Sequence, residues 1–425
     1  MMRVLLISAN REDINMPTLP MGLGCVAAAA QRAGHDVKFL DLMSLDDYQQ
    51  ALENRITAFD PELIGVSVRN IDDQVMKSTH FMLDQAKEVI ELCRRLSQAP
   101  IVLGGAGYSI FPQSALEYLG ADMGMQGEGE IAFPALLSQI EEKQNLAAVP
   151  GLYLPGRGLR AERRFVKNLD AVAFPDPSLL MPPGRPNQQF WLPFQTRRGC
   201  PLNCSYCSTS TIEGHIIRKR SPEAAVQELA DWVKAGFSQV YFVDNTFNLP
   251  QPYAIDLCRQ IAAAGLDVRW RCIVYPGRVS RPLVEAMAAA GCKEISLGFE
   301  SGHHMMLRDM NKRFTPREIR RASEMFADAG IRRMGFLLLG GPGETRETVA
   351  ESFDFVESQN LDVLKITVGI RIYPYTKLAG IAVKEGRIAP DDDLLRPRFY
   401  CVKDLEEWLM QTVAERAANY PNWIR

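Results

Sequence analysis

Residues 197–210 read RRGCPLNCSYCSTS, and the cysteine spacing in this stretch decides how the whole chain is read. Cys200, Cys204 and Cys207 put three thiols within eight residues, so one loop can bring them to a single soft metal site. Structural zinc takes four protein ligands, usually from paired C-x2-C knuckles, and no second cysteine knuckle occurs. Three thiolates match a [4Fe–4S] cluster with one iron left open, because cysteine ligates such clusters. A zinc or purely structural thiol loop is the competing reading of the triplet alone.

The triplet follows WLPFQTRRG, which opens an alternating series of β-rich and helical stretches. Strands are expected at QVYFVDN (Gln239 to Asn245), RWRCIVY (Arg269 to Tyr275), EISLGFE (Glu294 to Glu300), RMGFLLLG (Arg333 to Gly340) and VLKITVGI (Val363 to Ile370). Six βα units imply a partial (β/α)6 TIM barrel with its chemistry at the carboxyl ends of the strands. Upstream, RVLLISA (Arg3 to Ala9), DVKFLDL (Asp36 to Leu42), LIGVSV (Leu63 to Val68), PIVLGGA (Pro100 to Ala106) and ADMGMQG (Ala121 to Gly127) alternate with helical stretches such as GLGCVAAAAQRAG. Five strands wound this way predict an α/β, flavodoxin-like (Rossmann-type) sheet with a ligand site at the carboxyl edge. Proline and glycine become dense between them (VPGLYLPGRGLR, FPDPSLLMPPGRP), which marks a connection. The expected division is 1–148 for the first sheet, 149–189 for the connecting segment, 190–385 for the barrel and 386–425 for a short C-terminal segment with one helix from Asp404 to Ala418.

At 425 residues the chain has room for two cores. Its formal net charge of −3 and lack of a long basic run give no reason to expect nucleic acid. No apolar run approaches the roughly 18–20 residues of a membrane span, and MMRVLLISANRED reads as a strand rather than a signal peptide. A soluble, cytoplasmic protein is expected. Nine cysteines, irregularly spread and odd in number, do not suit a disulfide framework. Cys25, Cys93, Cys258, Cys272, Cys292 and Cys401 are expected to be small buried hydrophobes.

With Tyr206 before its last cysteine, Cys200-x3-Cys204-x2-Cys207 resembles the radical SAM superfamily, in which the triplet follows the first barrel strand. The resemblance spans roughly Phe190 to Gly380 and extends to later strand ends. It implies that Cys200, Cys204 and Cys207 hold a [4Fe–4S] cluster and that S-adenosylmethionine binds beside it. Tyr206 would belong to that site, with Asp244 and Asn245 of VDN near the methionine amino group. Glu300 and Ser301 of GFES would lie at the ribose, and Gly340, Gly341 and Glu344 of LLGGPGET would form a close-approach turn. Taken singly, Asn245 reads equally as a helix N-cap, and the glycine run as a tight turn. His303 and His304 after GFES carry no assignment, and Met305, Met306 and Met310 read as helix-face packing.

In the first domain, Gly104-Gly105-Ala106 and Gln126-Gly127-Glu128-Gly129-Glu130 lie at the ends of neighbouring strands, where glycines admit a large ligand. No G-x-G-x-x-G follows the first strand, which disfavours NAD and FAD. With PMGLG at Pro20 and GVSVRN at the third strand end, this pattern is similar to the cobalamin-binding domain that precedes many radical SAM barrels. The resemblance implies cobalamin contacts from Gly65, Ser67, Arg69, Asn70, Gly104, Gly105, Gln126, Gly127, Glu128, Gly129 and Glu130. D-x-H-x-x-G is missing, and His35 and His80 are expected at a strand start and on a helix. The implied cobalamin therefore has no histidine beneath cobalt, with Arg69 and Asn70 as candidates near its lower face or, alternatively, part of a solvated turn. A degenerate, empty domain is the other reading.

Together the resemblances imply a cobalamin-dependent radical SAM enzyme that methylates an unreactive carbon or a phosphinate centre of a small molecule. One S-adenosylmethionine would supply the methyl group through cobalamin, and a second would give the 5′-deoxyadenosyl radical. An external one-electron reductant of flavodoxin or ferredoxin type is implied as partner. A cobalamin-dependent rearrangement or cyclisation without methyl transfer, and a non-catalytic cofactor sensor, are the rival readings.

Overall fold

The computed structural model describes residues 1–12, 17–181 and 190–424; the proline- and glycine-rich run at 182–186 falls outside them. Strands β1 (Arg3–Ser8), β2 (Asp36–Asp41), β3 (Leu63–Ser67), β4 (Ile101–Gly104) and β5 (Met123–Met125) pair in parallel in the order β2-β1-β3-β4-β5. This is the flavodoxin-like winding, whose switch point lies between β1 and β3. β1 is buried along five of its six residues, as a strand covered on both faces must be, whereas edge strand β2 alternates. The sheet continues with a feature the periodicity did not show. β6 (Leu152–Leu154) and β7 (Gly158–Leu159), from the segment read as connection, form an antiparallel hairpin on β5.

The second sheet places β8 (Leu192–Phe194), β11 (Gln239–Phe242), β12 (Arg269–Val274), β13 (Cys292–Glu300), β14 (Arg332–Leu339) and β15 (Val363–Val368) side by side in chain order. All pair in parallel, the six strands of a partial barrel. Between β8 and β11 a small antiparallel ribbon forms from β9 (Arg197–Arg198) and β10 (Arg218–Lys219). Alternation along β13 sends Ile295, Leu297 and Phe299 into the core and leaves Ser296, Gly298 and Glu300 half-buried on the other face. Past the barrel, β16 (Ile370–Arg371) pairs with β17 (Phe399–Tyr400), a helix spans Glu406–Ala417, and β18 (Trp423–Ile424) adds to β15.

The two sheets are not independent. Ile7, Val66 and Leu103 of the first share a buried apolar cluster with Met306, Met310, Ile370 and Leu378 of the second. Across the same boundary Arg371 Nε meets Asp72 Oδ2 at 2.9 Å, both side chains almost fully buried. Met306 and Met310 therefore pack as expected, but Met305 is 42 % exposed. All six isolated cysteines are buried and free. Among the described residues no helix is long and apolar enough to cross a membrane.

Candidate functional site

The cysteine loop leaves the barrel directly after β9 and is held from several sides. Gly199 has φ +91°, and a Cβ there would overlap the Ile216 carbonyl oxygen, so only glycine fits. Cys200 N donates to Gly214 O (3.0 Å), Ser205 N to Met310 O (3.1 Å) and Leu378 N to Ser205 O (2.9 Å). Asn311 Nδ2 donates to Leu202 O (3.2 Å) and Asn203 O (2.7 Å). The three thiols are free and half-buried. Burial, then the neighbouring thiols, pushes Cys200 up to about 11. Burial also raises Cys204, where Lys312 works in the opposite direction. A metal therefore binds by displacing protons. Among the described residues no three His, Cys, Asp or Glu groups, these thiols included, sit close enough together to hold a single metal ion, whereas in a [4Fe–4S] cluster each cysteine binds a different iron. Half-buried free thiols from a single loop fit a three-cysteine cluster.

Asp244 and Asn245, expected at S-adenosylmethionine, follow β11 and face this loop's base. Asp244 is fully buried; its carboxylate accepts from Thr196 N (2.7 Å), Thr196 Oγ1 (2.6 Å), Arg197 N (2.8 Å), Arg197 Nε (3.1 Å) and Arg197 Nη2 (2.7 Å). Asn245 Nδ2 donates to Glu213 Oε2 (2.5 Å). Glu213 also accepts from Gly199 N (2.9 Å) and Gln195 Nε2 (2.8 Å), making it a hub that sequence reasoning missed. Nothing in TIEGH marks it out, because its partners are distant in the chain.

Glu300 closes β13 with φ +68° and meets the buried Lys312 Nζ at 3.2 Å. Tyr206, inside the cysteine motif, has its ring centre 5.6 Å from that ammonium. Burial works against the charge of Lys312, and Tyr206, Glu300 and Cys204 outweigh it, so the lysine stays protonated. The buried Ser301 hydroxyl lies 3.0 Å from Ser352 Oγ of the helix Arg346–Gln359 and accepts from His303 N (3.0 Å). After β14, Gly340 has φ +95°, and Glu344 Oε2 accepts from Gly340 N and from Gly341 N (3.1 Å). Glu344 Oε1 is buried without a partner. Burial pushes this carboxyl up to about 7, against the two backbone donors.

At the edge of the first sheet one cavity is lined by Gly65, Ser67, Gly104, Gly105, Gly127 and Gly129, and across from them by Gln195, Arg198 and Glu213 of the second domain. A Cβ on Gly104 would meet nothing within 4 Å, whereas one on Gly105 (φ +104°) would lie 2.5 Å from Val68 O. Gly104 thus opens onto the space, and Gly105 serves the turn itself. A cavity that reaches glycine backbone at several strand ends, with open space over Gly104, fits a large cofactor such as cobalamin. Arg69 lines an adjoining cavity with Ser67, Gly105 and Tyr241; Asn70 lines neither. Gln126 donates to Ser109 O (3.0 Å) and lines a separate groove with Tyr153.

Glu128 and Glu130 also line the cavity, but their carboxylates act across the domain boundary. Arg198 reaches Glu130 at 2.6 Å and Glu128 at 3.5 Å, and Arg218 reaches Glu128 at 2.6 Å. Arg198 lies two residues before Cys200, so this network ties the glycine turn to the cysteine loop. His80, expected on a helix, lies instead in the loop before the helix Leu83–Leu96; His35 precedes β2 and accepts from Met2 N (3.2 Å).

Comparison with known proteins bears on this arrangement. The B12 binding domain family matches residues 7–137, and the radical SAM superfamily matches residues 195–356. An uncharacterized methyltransferase of Pyrococcus horikoshii is 28 % identical over 396 residues, covering 90 % of this chain and 83 % of that protein. The tryptophan 2-C-methyltransferase of Streptomyces laurentii is 26 % identical over 436 residues, covering 87 % of this chain and 73 % of that protein. The fold is similar to that of the radical S-adenosylmethionine methyltransferase TsrM from Kitasatospora setae, solved with cobalamin and a [4Fe–4S] cluster bound. That likeness has a TM-score of 0.87 at 22 % identity and covers 99 % of this chain and 90 % of that one.

Proposed function

We propose that this chain is a cobalamin-dependent radical SAM enzyme that methylates an unactivated carbon, or a phosphinate-type phosphorus, of a small molecule; its matches to the B12 binding domain family and to the radical SAM superfamily support this reading. The observation that carries this reading is the cavity lined jointly by Gly104 and Gly129 of the first sheet and by Gln195, Arg198 and Glu213 at the base of the cysteine loop. A methyl donor and a radical source must act on one substrate, and this cavity runs from the glycine turns of the first sheet to residues that hold the base of the cysteine loop.

When bound, the cluster with S-adenosylmethionine supplies a 5′-deoxyadenosyl radical and cobalamin supplies a methyl group; the difficult chemistry is theirs. The protein holds, orients and excludes water. Cys200, Cys204 and Cys207 are the cluster ligands. Glu300 and the Gly340–Gly341 turn stand at the S-adenosylmethionine side, with Glu344 stiffening that turn through two backbone donors. Gly65, Gly104, Gly127 and Gly129 form the cobalamin floor, and Arg69 is near its lower face. Arg198, paired with Glu128 and Glu130, keeps the two edges in register. The proposed reductant is a protein of flavodoxin or ferredoxin type.

The test is an anaerobic turnover with deuterated-methyl S-adenosylmethionine, using candidate substrates selected for substrate-dependent 5′-deoxyadenosine formation. Methyl transfer requires S-adenosylhomocysteine and 5′-deoxyadenosine to rise together, with label in the product. Substrate-dependent 5′-deoxyadenosine without label in the product overturns the methyltransferase assignment in favour of rearrangement.

A further inference from the structure

Lys312 is a lysine that the fold buries beside the cysteine loop. It follows the helix His304–Asp309, whose end turns back as Asn311 takes φ +59° and Lys312 N donates to Leu307 O (2.8 Å). The side chain is only 6 % exposed. Its ammonium donates to Gly298 O (3.0 Å) and Glu300 Oε1 (3.2 Å) and stands against Tyr206. A buried charge is costly even when paired, and an apolar side chain of similar size is often the more stable choice. Methionines already fill neighbouring positions at Met306 and Met310. A lysine here is therefore a poor packing element and an informative one.

Its neighbours in sequence grip the same loop. Met310 O accepts from Ser205 N, and Asn311 Nδ2 donates to the carbonyls of Leu202 and Asn203. Residues 310–312 thus fix where the ammonium stands relative to the cysteines.

We propose that Lys312 is a positioning residue whose buried positive charge raises the reduction potential of the cluster held by Cys200, Cys204 and Cys207, with Glu300 as its opposing charge. The inference rests on the assignment of those cysteines as ligands. Adding an electron makes a cluster more negative, so a fixed cation nearby stabilises the reduced form more than the oxidised one. A fixed carboxylate does the reverse. Away from bulk water both effects are larger than at a surface, and charge around a cluster is one of the levers that set its potential.

The experiment uses the full-length chain, reconstituted anaerobically without S-adenosylmethionine, and follows the cluster by electron paramagnetic resonance during a redox titration. Lys312→Met, which keeps length and removes charge, shifts the midpoint to more negative values. The expected shift is at least about tenfold in the oxidised-to-reduced ratio at fixed potential, or about 59 mV for a one-electron couple. Glu300→Gln shifts it the opposite way, the double variant lies between the single ones, and Lys312→Arg stays near the wild type. A wild-type midpoint in Lys312→Met, or shifts of the same sign in both single variants, overturns the proposal. Should Lys312→Met lose its iron, Glu300→Gln alone decides, and failure to raise the midpoint overturns the proposal. Full iron in a variant lacking all three cysteines would instead overturn the ligand assignment, so the two failures are distinguishable.

Discussion

Replacing Asp244 by Asn separates two roles for the residue after β11. The resemblance to radical SAM barrels implies a contact with the amino group of S-adenosylmethionine, but the structure surrounds its carboxylate with Thr196 and Arg197. Both members of the pair are shielded, the Arg197 side chain 3 % exposed and that of Asp244 0 %. Asn keeps the shape while removing the charge that balances the guanidinium, and its amide can turn a donor toward the backbone N–H groups of Thr196 and Arg197. Breaking a buried pair from one side costs about 3–5 kcal/mol. For a domain of this size each kcal/mol moves the melting temperature by roughly 2–4 °C, so a fall of roughly 6–20 °C is expected. Trp232 and Trp270 are buried in the barrel core, so tryptophan fluorescence during thermal denaturation reports the relevant transition. Affinity for S-adenosylmethionine, measured by calorimetry well below the transition, should be close to wild type. A variant that melts normally yet no longer binds S-adenosylmethionine would refute the bracing role and return Asp244 to the cofactor.

Three further outcomes are expected. Glu344, raised to about 7 from an ordinary 4.5, adds stability that is complete below pH about 4.5 and lost as pH rises through 7, about 3 kcal/mol in all. Glu344→Gln should remove this dependence, and equal slopes of denaturation midpoint against pH in both proteins would count against it. Gly104→Leu should abolish the cobalamin absorption spectrum while circular dichroism and iron content stay normal, because its Cβ points into open space; Gly105→Ala should instead destabilise the turn. Protein lacking Cys200, Cys204 and Cys207 should contain no cluster iron by elemental analysis, while Cys258→Ala keeps about four irons.

What could be read from the sequence was what local patterns encode. The strands announced themselves because two-sided burial forces apolar runs such as RVLLIS, and the cysteine loop because all three thiols lie within one turn of chain. The hairpin β6–β7 was hidden by its own turn chemistry: the prolines and glycines of VPGLYLPGRGL suit a tight hairpin as well as a linker. At two residues, β18 is too short to show a period. The harder failures concern charge. Glu128 and Glu130 follow a strand end and line the cavity, yet their carboxylates answer Arg198 and Arg218, which lie about 70 and 90 residues away along the chain. Lys312 sits in an ordinary-looking MNKR run, and only the return of the 310–312 segment onto the cysteine loop gives it meaning. In each case the backbone position was a local property, while the direction of the side chain was decided by a partner on another element. A sequence motif thus locates the edge of a site more reliably than it says which of its charged groups face the cofactor and which hold the protein around it.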